Sequence, residues 1–243
     1  MARPPLRLCF DPEPGVLAAA RECEADVFLD AYGNTVQELD AEYSAYDDHS
    51  HFLAVADTDD QVLAAARLIF PSQAGLKSLN DTAREPWHID GDRSARLAGI
   101  DPDRAMDVAT ISVRRGVKGP GLLAAIALYR GIVLVTRMNR LDWIVMIMDL
   151  RARRLLHSVG LQTQVLPGTA PASYLGSASS VPVWAKMSAM LDGQRTISPD
   201  GFRMVAQGIG LDGISVGPDS EFLAIPHYFE PSAVELVGLA ESA

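Results

Sequence analysis

Three glycines and three cations crowd the first half of one stretch of this chain, ISVRRGVKGPGLLAAIALYRG, residues 111 to 131. Gly116, Gly119 and Gly121 fall within six positions, interleaved with Arg114, Arg115 and Lys118. Alternating apolar residues upstream predict a strand over DVATISV (107 to 113). The apolar run downstream predicts a buried helix from Leu122 to Asn139. A strand-to-helix turn needs one or two glycines for its geometry, so three of them beside three cations predict a turn that an anion approaches closely. A helix N-terminus offers unpaired N–H groups and a partial positive charge, and glycine lets a phosphate reach both. The expected ligand carries a pyrophosphate or phosphopantetheine, held by Val113, Arg114, Arg115, Gly116, Lys118, Gly119, Gly121 and Leu122. A plain chain turn with solvated cations would use the same residues. Arg151, Arg153 and Arg154 add weight to the ligand, because they crowd the first turns of a later helix, where positive side chains oppose the helix dipole.

The elements that must position this turn are legible in outline. Val16, Ala20, Cys23, Val27 and Ala31 recur at helical spacing between Asp11 and Gly33. After an acidic loop, 51 to 57 and 61 to 70 read as an antiparallel hairpin around Thr58-Asp59-Asp60. The polar stretch to about residue 105 has room for short helices that the sequence does not place. LDWIVMIM (141 to 148) reads as a strand buried on both faces, typical of a parallel pair. Asp149 caps a short helix that Gly160 ends, and QTQVL begins another strand. Alternation of strand and helix from 107 to 166 is an α/β arrangement. Residues 167 to 182 and 191 to 220 read as loops around a last strand near Val183 to Met187. The division expected is a domain over 1–190 and an extension over 191–243, packed on or near it.

Composition narrows the function classes. The chain has 243 residues, 48% hydrophobic and 21% charged, which suits a soluble globular protein. A net charge of −10 argues against non-specific binding to nucleic acid or anionic membranes. Cys9 and Cys23 fit neither a disulfide framework nor a zinc spacing, so a reducing cytoplasm is expected. No signal peptide is read at the N-terminus, and Arg130 interrupts the longest apolar run.

The order of strand, glycine-rich basic turn, apolar helix, strand and MDLRARRLLHSVGL resembles the GNAT superfamily of N-acyltransferases. There the turn commonly reads Gln/Arg-x-x-Gly-x-Gly/Ala and binds the pyrophosphate of an acyl-CoA. Gly119 and Gly121 match its small positions, while Gly116 stands where Gln or Arg is usual. Asp149, Ala152, Leu155, Leu156, Gly160 and Leu161 match offsets of the following helix, but Leu156 replaces the usual proton-donating tyrosine, which rules out acid catalysis by that residue. The N-terminal half, EYSAYDDHSHFLAVAD to VLAAARLIFPS, is similar to the acyl-homoserine-lactone synthases and the related N-acyl amino acid synthases. Glu42, Tyr46, Asp47, Arg67 and Leu68 match their pattern over about residues 14 to 170, and Asp107 stands in for a strand glutamate. Ser44, Glu24 and Ala109-Thr110 depart from residues that bind S-adenosylmethionine in true synthases, so that acceptor is not carried over.

The resemblance implies an α/β (α+β) GNAT-like fold with a central mixed sheet and helices on both faces. It also implies acyl transfer from acyl-CoA or acyl carrier protein to a small amine, without a metal. In that chemistry Asp107 would draw the proton from the amine, and Thr110 would hydrogen-bond the acceptor. The Val113 N–H would polarise the carbonyl. Asp47 and Arg67 would hold the acceptor, and Trp143, Met146 and Met148 would line an acyl tunnel. Each residue also has a plainer use: a strand cap, a surface ion pair, core packing. The rival from another class is a non-catalytic acyl-thioester binder. GISVG (213 to 217) imitates a nucleophile elbow, but Pro218 and Asp219 follow it where a helix is required. The acidic run Asp47-Asp48-His49-Ser50-His51 reads as a solvated loop rather than a metal site.

Overall fold

The computed structural model describes residues 5–115 and 120–224. Strand β1 (Leu6–Phe10) is followed by helix α1 (Pro14–Tyr32), which begins with proline in its first turn. The helix stops at Gly33, whose φ of 78° lets its N–H turn back to Leu29. The expected acidic loop is instead helix α2 (Val36–Tyr43) and a 3-10 turn. A capping box explains it: Thr35 and Glu38 satisfy each other's backbone N–H groups, and Leu39 and Tyr43 share the buried face. The expected hairpin forms as β2 (Ser50–Asp57) and β3 (Val62–Ile69). The unassigned polar stretch holds two short helices, α3 (Lys77–Asp81) and α4 (Gly91–Leu97). Strand β4 (Ala105–Val113), helix α5 (Pro120–Met138), strand β5 (Trp143–Asp149) and helix α6 (Leu150–Ser158) follow close to their expected bounds.

The C-terminal third departs most from expectation. Strands β6 (Gln164–Val165), β7 (Ala172–Tyr174) and β8 (Ser177–Lys186) lead into helices α7 (Met187–Ile197) and α8 (Pro199–Gln207) and strand β9 (Ile214–Val216). Some of the glycines, serines and prolines that suggested loops bound elements here, and others, such as Gly193 in α7 and Gly201 in α8, lie inside them. Pro199 opens α8, and Gly208, at φ 72°, closes it. Pro182 lies within β8, where its carbonyl accepts from the Leu166 N–H. It returns no N–H, and the two-residue ladder with β6 ends there.

The sheet runs β6-β8-β5-β4-β3-β2-β1-β9, with β7 on β8. It is mixed: β4–β5 and β1–β9 are parallel, and the pairs β1–β2, β2–β3, β3–β4 and β5–β8 are antiparallel. Helix α5 packs on one face through Ala124, Ala127, Leu128 and Val135, against Leu53, Leu68, Met106 and Met146. Gly131 permits the approach, since a Cβ there would lie 2.8 Å from Leu53. By length and composition α5 could span a bilayer, yet much of it is buried inside the protein. The opposite face is covered by α1 over Phe52, Ala54 and Ala65, and by α2 and α3 further along. Helices therefore lie on both faces. Residues 191–224 join the same core through Leu191, Val205, Ile214 and Phe222.

Candidate active site

β4 and β5 pair in parallel only from Ala105 to Asp107 against Trp143 to Val145. Beyond Asp107 the two strands part, although β4 continues to Val113 and β5 to Asp149. On its other edge β4 bulges: Arg67 pairs with Thr110 and Leu68 with Val108, leaving Ala109 unmatched. Such an extra residue bends a strand away from its neighbour. The Arg114 N–H donates to Leu63 of β3 at 2.9 Å. By the alternation of an antiparallel ladder, the Val113 N–H points the other way, into the opening.

The two sides of this opening differ in chemistry. Asp107, fully buried, accepts from the backbone N–H of Ser78 at 2.5 Å and from its hydroxyl at 2.8 Å. Burial pushes its carboxyl up to about 7, against the pull of the Ser78 bonds and of Lys77. Next to it, Arg67 forms a two-pronged pair with Glu24, Nε at 3.1 Å and Nη2 at 2.7 Å, and reaches Asp47 at 3.0 Å. Thr110 donates to the same Glu24 at 2.5 Å. The guanidinium also lies over the rings of Tyr43 and Phe52, at 4.5 and 4.8 Å. Lys77 is held by Glu42 at 2.9 Å, by the Tyr174 hydroxyl at 3.1 Å and by Asp81, to which Tyr174 also donates. Burial and the neighbouring Glu24 drive the Tyr43 hydroxyl well above its ordinary range, so it stays protonated.

The other side is apolar. Val108, Ile111, Tyr129, Ile132, Ile144, Met146, Leu156, Met187 and Met190 surround a cavity of about 20 Å³ with no polar surface. That volume holds one water-sized body, so any larger apolar occupant must displace side chains. Three unbranched methionines make this inexpensive. Leu156 points into this cavity, where a tyrosine would have met apolar walls.

The expected site residues separate accordingly. Asp107, Thr110, Arg67 and Asp47 converge on the polar side, and Met146 lies on the apolar side. Trp143 does not join Met146. It packs with Leu76, Val145 and Trp184 on the opposite face, because residues three apart on a strand point opposite ways. Met148 shares the core cluster of Met146. Arg114 is engaged by Asp26 at 2.9 Å and Glu22 at 3.8 Å on α1. Arg115 is exposed at the rim of a surface notch with Asp26, Val27, Leu29 and Asp30. A Cβ at Gly121 would meet nothing within 4 Å, and Leu122 is 74% exposed. Gly116, Lys118 and Gly119 lie outside the described residues. Asp149 caps α6 as expected; burial works to raise its carboxyl, but bonds from Ser177 and from the N–H groups of Arg151 and Ala152 hold it below the usual range. Among the described residues no cluster of metal ligands occurs.

Ser78, Lys77, Asp81 and Tyr174 were not singled out from the sequence, although the i, i+4 spacing of Lys77 and Asp81 was a signal available there. Their relation to Asp107 depends on α3 folding back over β4.

A central mixed sheet, helices on both faces and a parallel pair that parts midway constitute the GNAT-like acyltransferase fold. Among solved structures, the chain is similar to FeeM, an N-acyl amino acid synthase from uncultured soil microbes, at 12% identity and a TM-score of 0.58, covering 77% of this chain and 93% of that one. The acyl-homoserine-lactone synthase LasI matches at 13% identity and 0.55, over 80% of this chain and 94% of its own. BjaI, a CoA-dependent acyl-homoserine lactone synthase solved with S-adenosylmethionine and isopentyl-CoA, matches at 14% and 0.54, over 89% and 96%. At these identities the likeness is one of fold. No family model and no curated protein matches the sequence.

Proposed function

We propose that this chain is a cytoplasmic N-acyltransferase that moves an acyl group from acyl-CoA or an acyl carrier protein to the amine of a small, amino-acid-derived acceptor. The observation that carries this reading is the two-sided opening between β4 and β5: an apolar cavity on one side and Asp107 with its polar neighbours on the other. The acyl chain enters the cavity, and the thioester carbonyl lies in the gap, within reach of the Val113 N–H. The amine attacks from the polar side. A C–N bond forms, the C–S bond breaks, and the nitrogen's proton passes to Asp107 through a water molecule, since Asp107 has no exposed surface. Solvent protonates the departing thiolate, as Leu156 cannot. Arg115, Lys118 and the start of α5 hold the donor's phosphates.

The test is incubation with a panel of acyl-CoAs and amines, following thioester loss and amide formation by mass spectrometry. Amine-dependent amide formation supports the reading. Tight acyl-CoA binding without it would identify an acyl-thioester binder instead.

A further inference from the structure

We infer that the acceptor is an amine without a free carboxylate, and that Glu24 imposes this selectivity by occupying Arg67. The inference rests on the acyl-transfer reading above and specifies its acceptor. An ionised amine cannot arrive through the apolar side of the opening, whose walls offer no charged group and are hydrocarbon and thioether apart from Tyr129 and Thr163. It must come from the side of Asp107. A carboxylate entering there would need a donor with spare capacity. The two buried cations on that side, Arg67 and Lys77, are already engaged by carboxylates.

Glu24 takes both Nε and Nη2 of Arg67, and Asp47 takes Nη1. Glu42, Asp81 and the Tyr174 hydroxyl surround Lys77. At the rim, Arg21 is spent on the same Asp47, at 3.3 Å, and Arg84 faces Asp81 at 3.8 Å. Glu24, Glu42, Asp47, Asp81 and Asp107 thus outnumber the buried cations they face. Another carboxylate would add like charge where water is scarce, which disfavours its binding. An amine that is uncharged elsewhere, or that carries a second cation, meets no such cost. Thr110 reinforces the arrangement, because its hydroxyl donates to Glu24 and fixes that carboxylate against the guanidinium. Decarboxylated amino acids, esters, amides and lactones all satisfy the requirement.

The experiment uses amine pairs differing only in the carboxylate, tyramine against tyrosine and putrescine against ornithine, with one acyl-CoA that the protein consumes. Because each 1.4 kcal/mol is a factor of ten, the carboxylate-free member should show a kcat/KM about a hundredfold higher. Glu24→Gln keeps the shape and one acceptor oxygen but frees the guanidinium's charge, so the preference should fall to about tenfold or less. Glu24→Asp should retain most of it. Should Glu24→Gln not fold, the paired amines on the unaltered protein still decide. Equal or better turnover of the carboxylate-bearing member would overturn this inference while leaving acyl transfer standing. No amine-dependent thioester loss with either member of any pair would overturn both.

Discussion

Ser78 closes on both oxygens of Asp107, its backbone N–H on Oδ2 at 2.5 Å and its hydroxyl on Oδ1 at 2.8 Å. One residue of a five-residue helix thereby orients a buried carboxylate at the point where β4 and β5 separate. Burial lifts the Asp107 carboxyl to about 7, and the Ser78 bonds pull it down. A base must be deprotonated to act, so log(kcat/KM), expressed per neutral amine, should climb with pH up to about 7 and then level. Asp107→Asn should lower turnover by about two to four orders of magnitude and flatten this limb, with acyl-CoA binding retained. Ser78→Ala removes one of the downward pulls, so the limb should move to higher pH. A pH profile that ignores both changes would remove Asp107 from the chemistry.

The pair Arg67–Glu24 ties α1 to the centre of the sheet. Removing one partner leaves the other charged and buried, so Arg67→Met should cost about 3–5 kcal/mol in chemical denaturation. The double replacement Glu24→Met with Arg67→Met should recover much of that loss, because no lone charge remains. A double variant no more stable than the single one would contradict this account.

Met190 belongs to the flexible wall of the apolar cavity. Met190→Ala enlarges a space that now holds about one water-sized body, and Met190→Trp fills it. Rates across acyl-CoAs of increasing length should shift towards longer chains in the first variant and shorter chains in the second. Identical chain-length profiles would place the acyl group elsewhere.

Arg115 stands exposed beyond the end of β4. Arg115→Glu should weaken acyl-CoA binding about tenfold at low ionic strength, and the difference should shrink towards physiological salt as screening grows. Calorimetric titration at two salt concentrations measures both. A salt-independent result would argue against a phosphate contact.

Gly176, at φ 78°, lets the turn between β7 and β8 rest on the end of α1; an added Cβ would lie 2.3 Å from the Tyr32 carbonyl oxygen. Gly176→Ala should destabilise the protein by about 1–3 kcal/mol, measured by thermal unfolding. It should also disturb Ser177, whose hydroxyl bonds Asp149 at 2.8 Å.

Much of this protein was legible in its sequence because the signals are local. Alternating apolar residues marked β4, helical spacing marked α1, continuous apolar runs marked α5 and β5, and Asp149 and Gly160 marked the ends of α6. Order along the chain was enough to indicate the fold. Local signals failed where boundary residues imitated loops, as Pro199 and Gly208 did around α8, and where acidic residues masked the capping box of α2. The site divided in the same way. Asp107, Thr110, Arg67 and Asp47 were recognisable as residue types in order, but what each one touches was not. Only the tertiary structure paired Arg67 with Glu24, 43 positions away, placed Ser78 on Asp107, and turned Trp143 away from Met146. Ion pairs and buried hydrogen bonds between distant segments depend on which faces meet once the sheet is built, and the linear pattern determines the faces but not their partners.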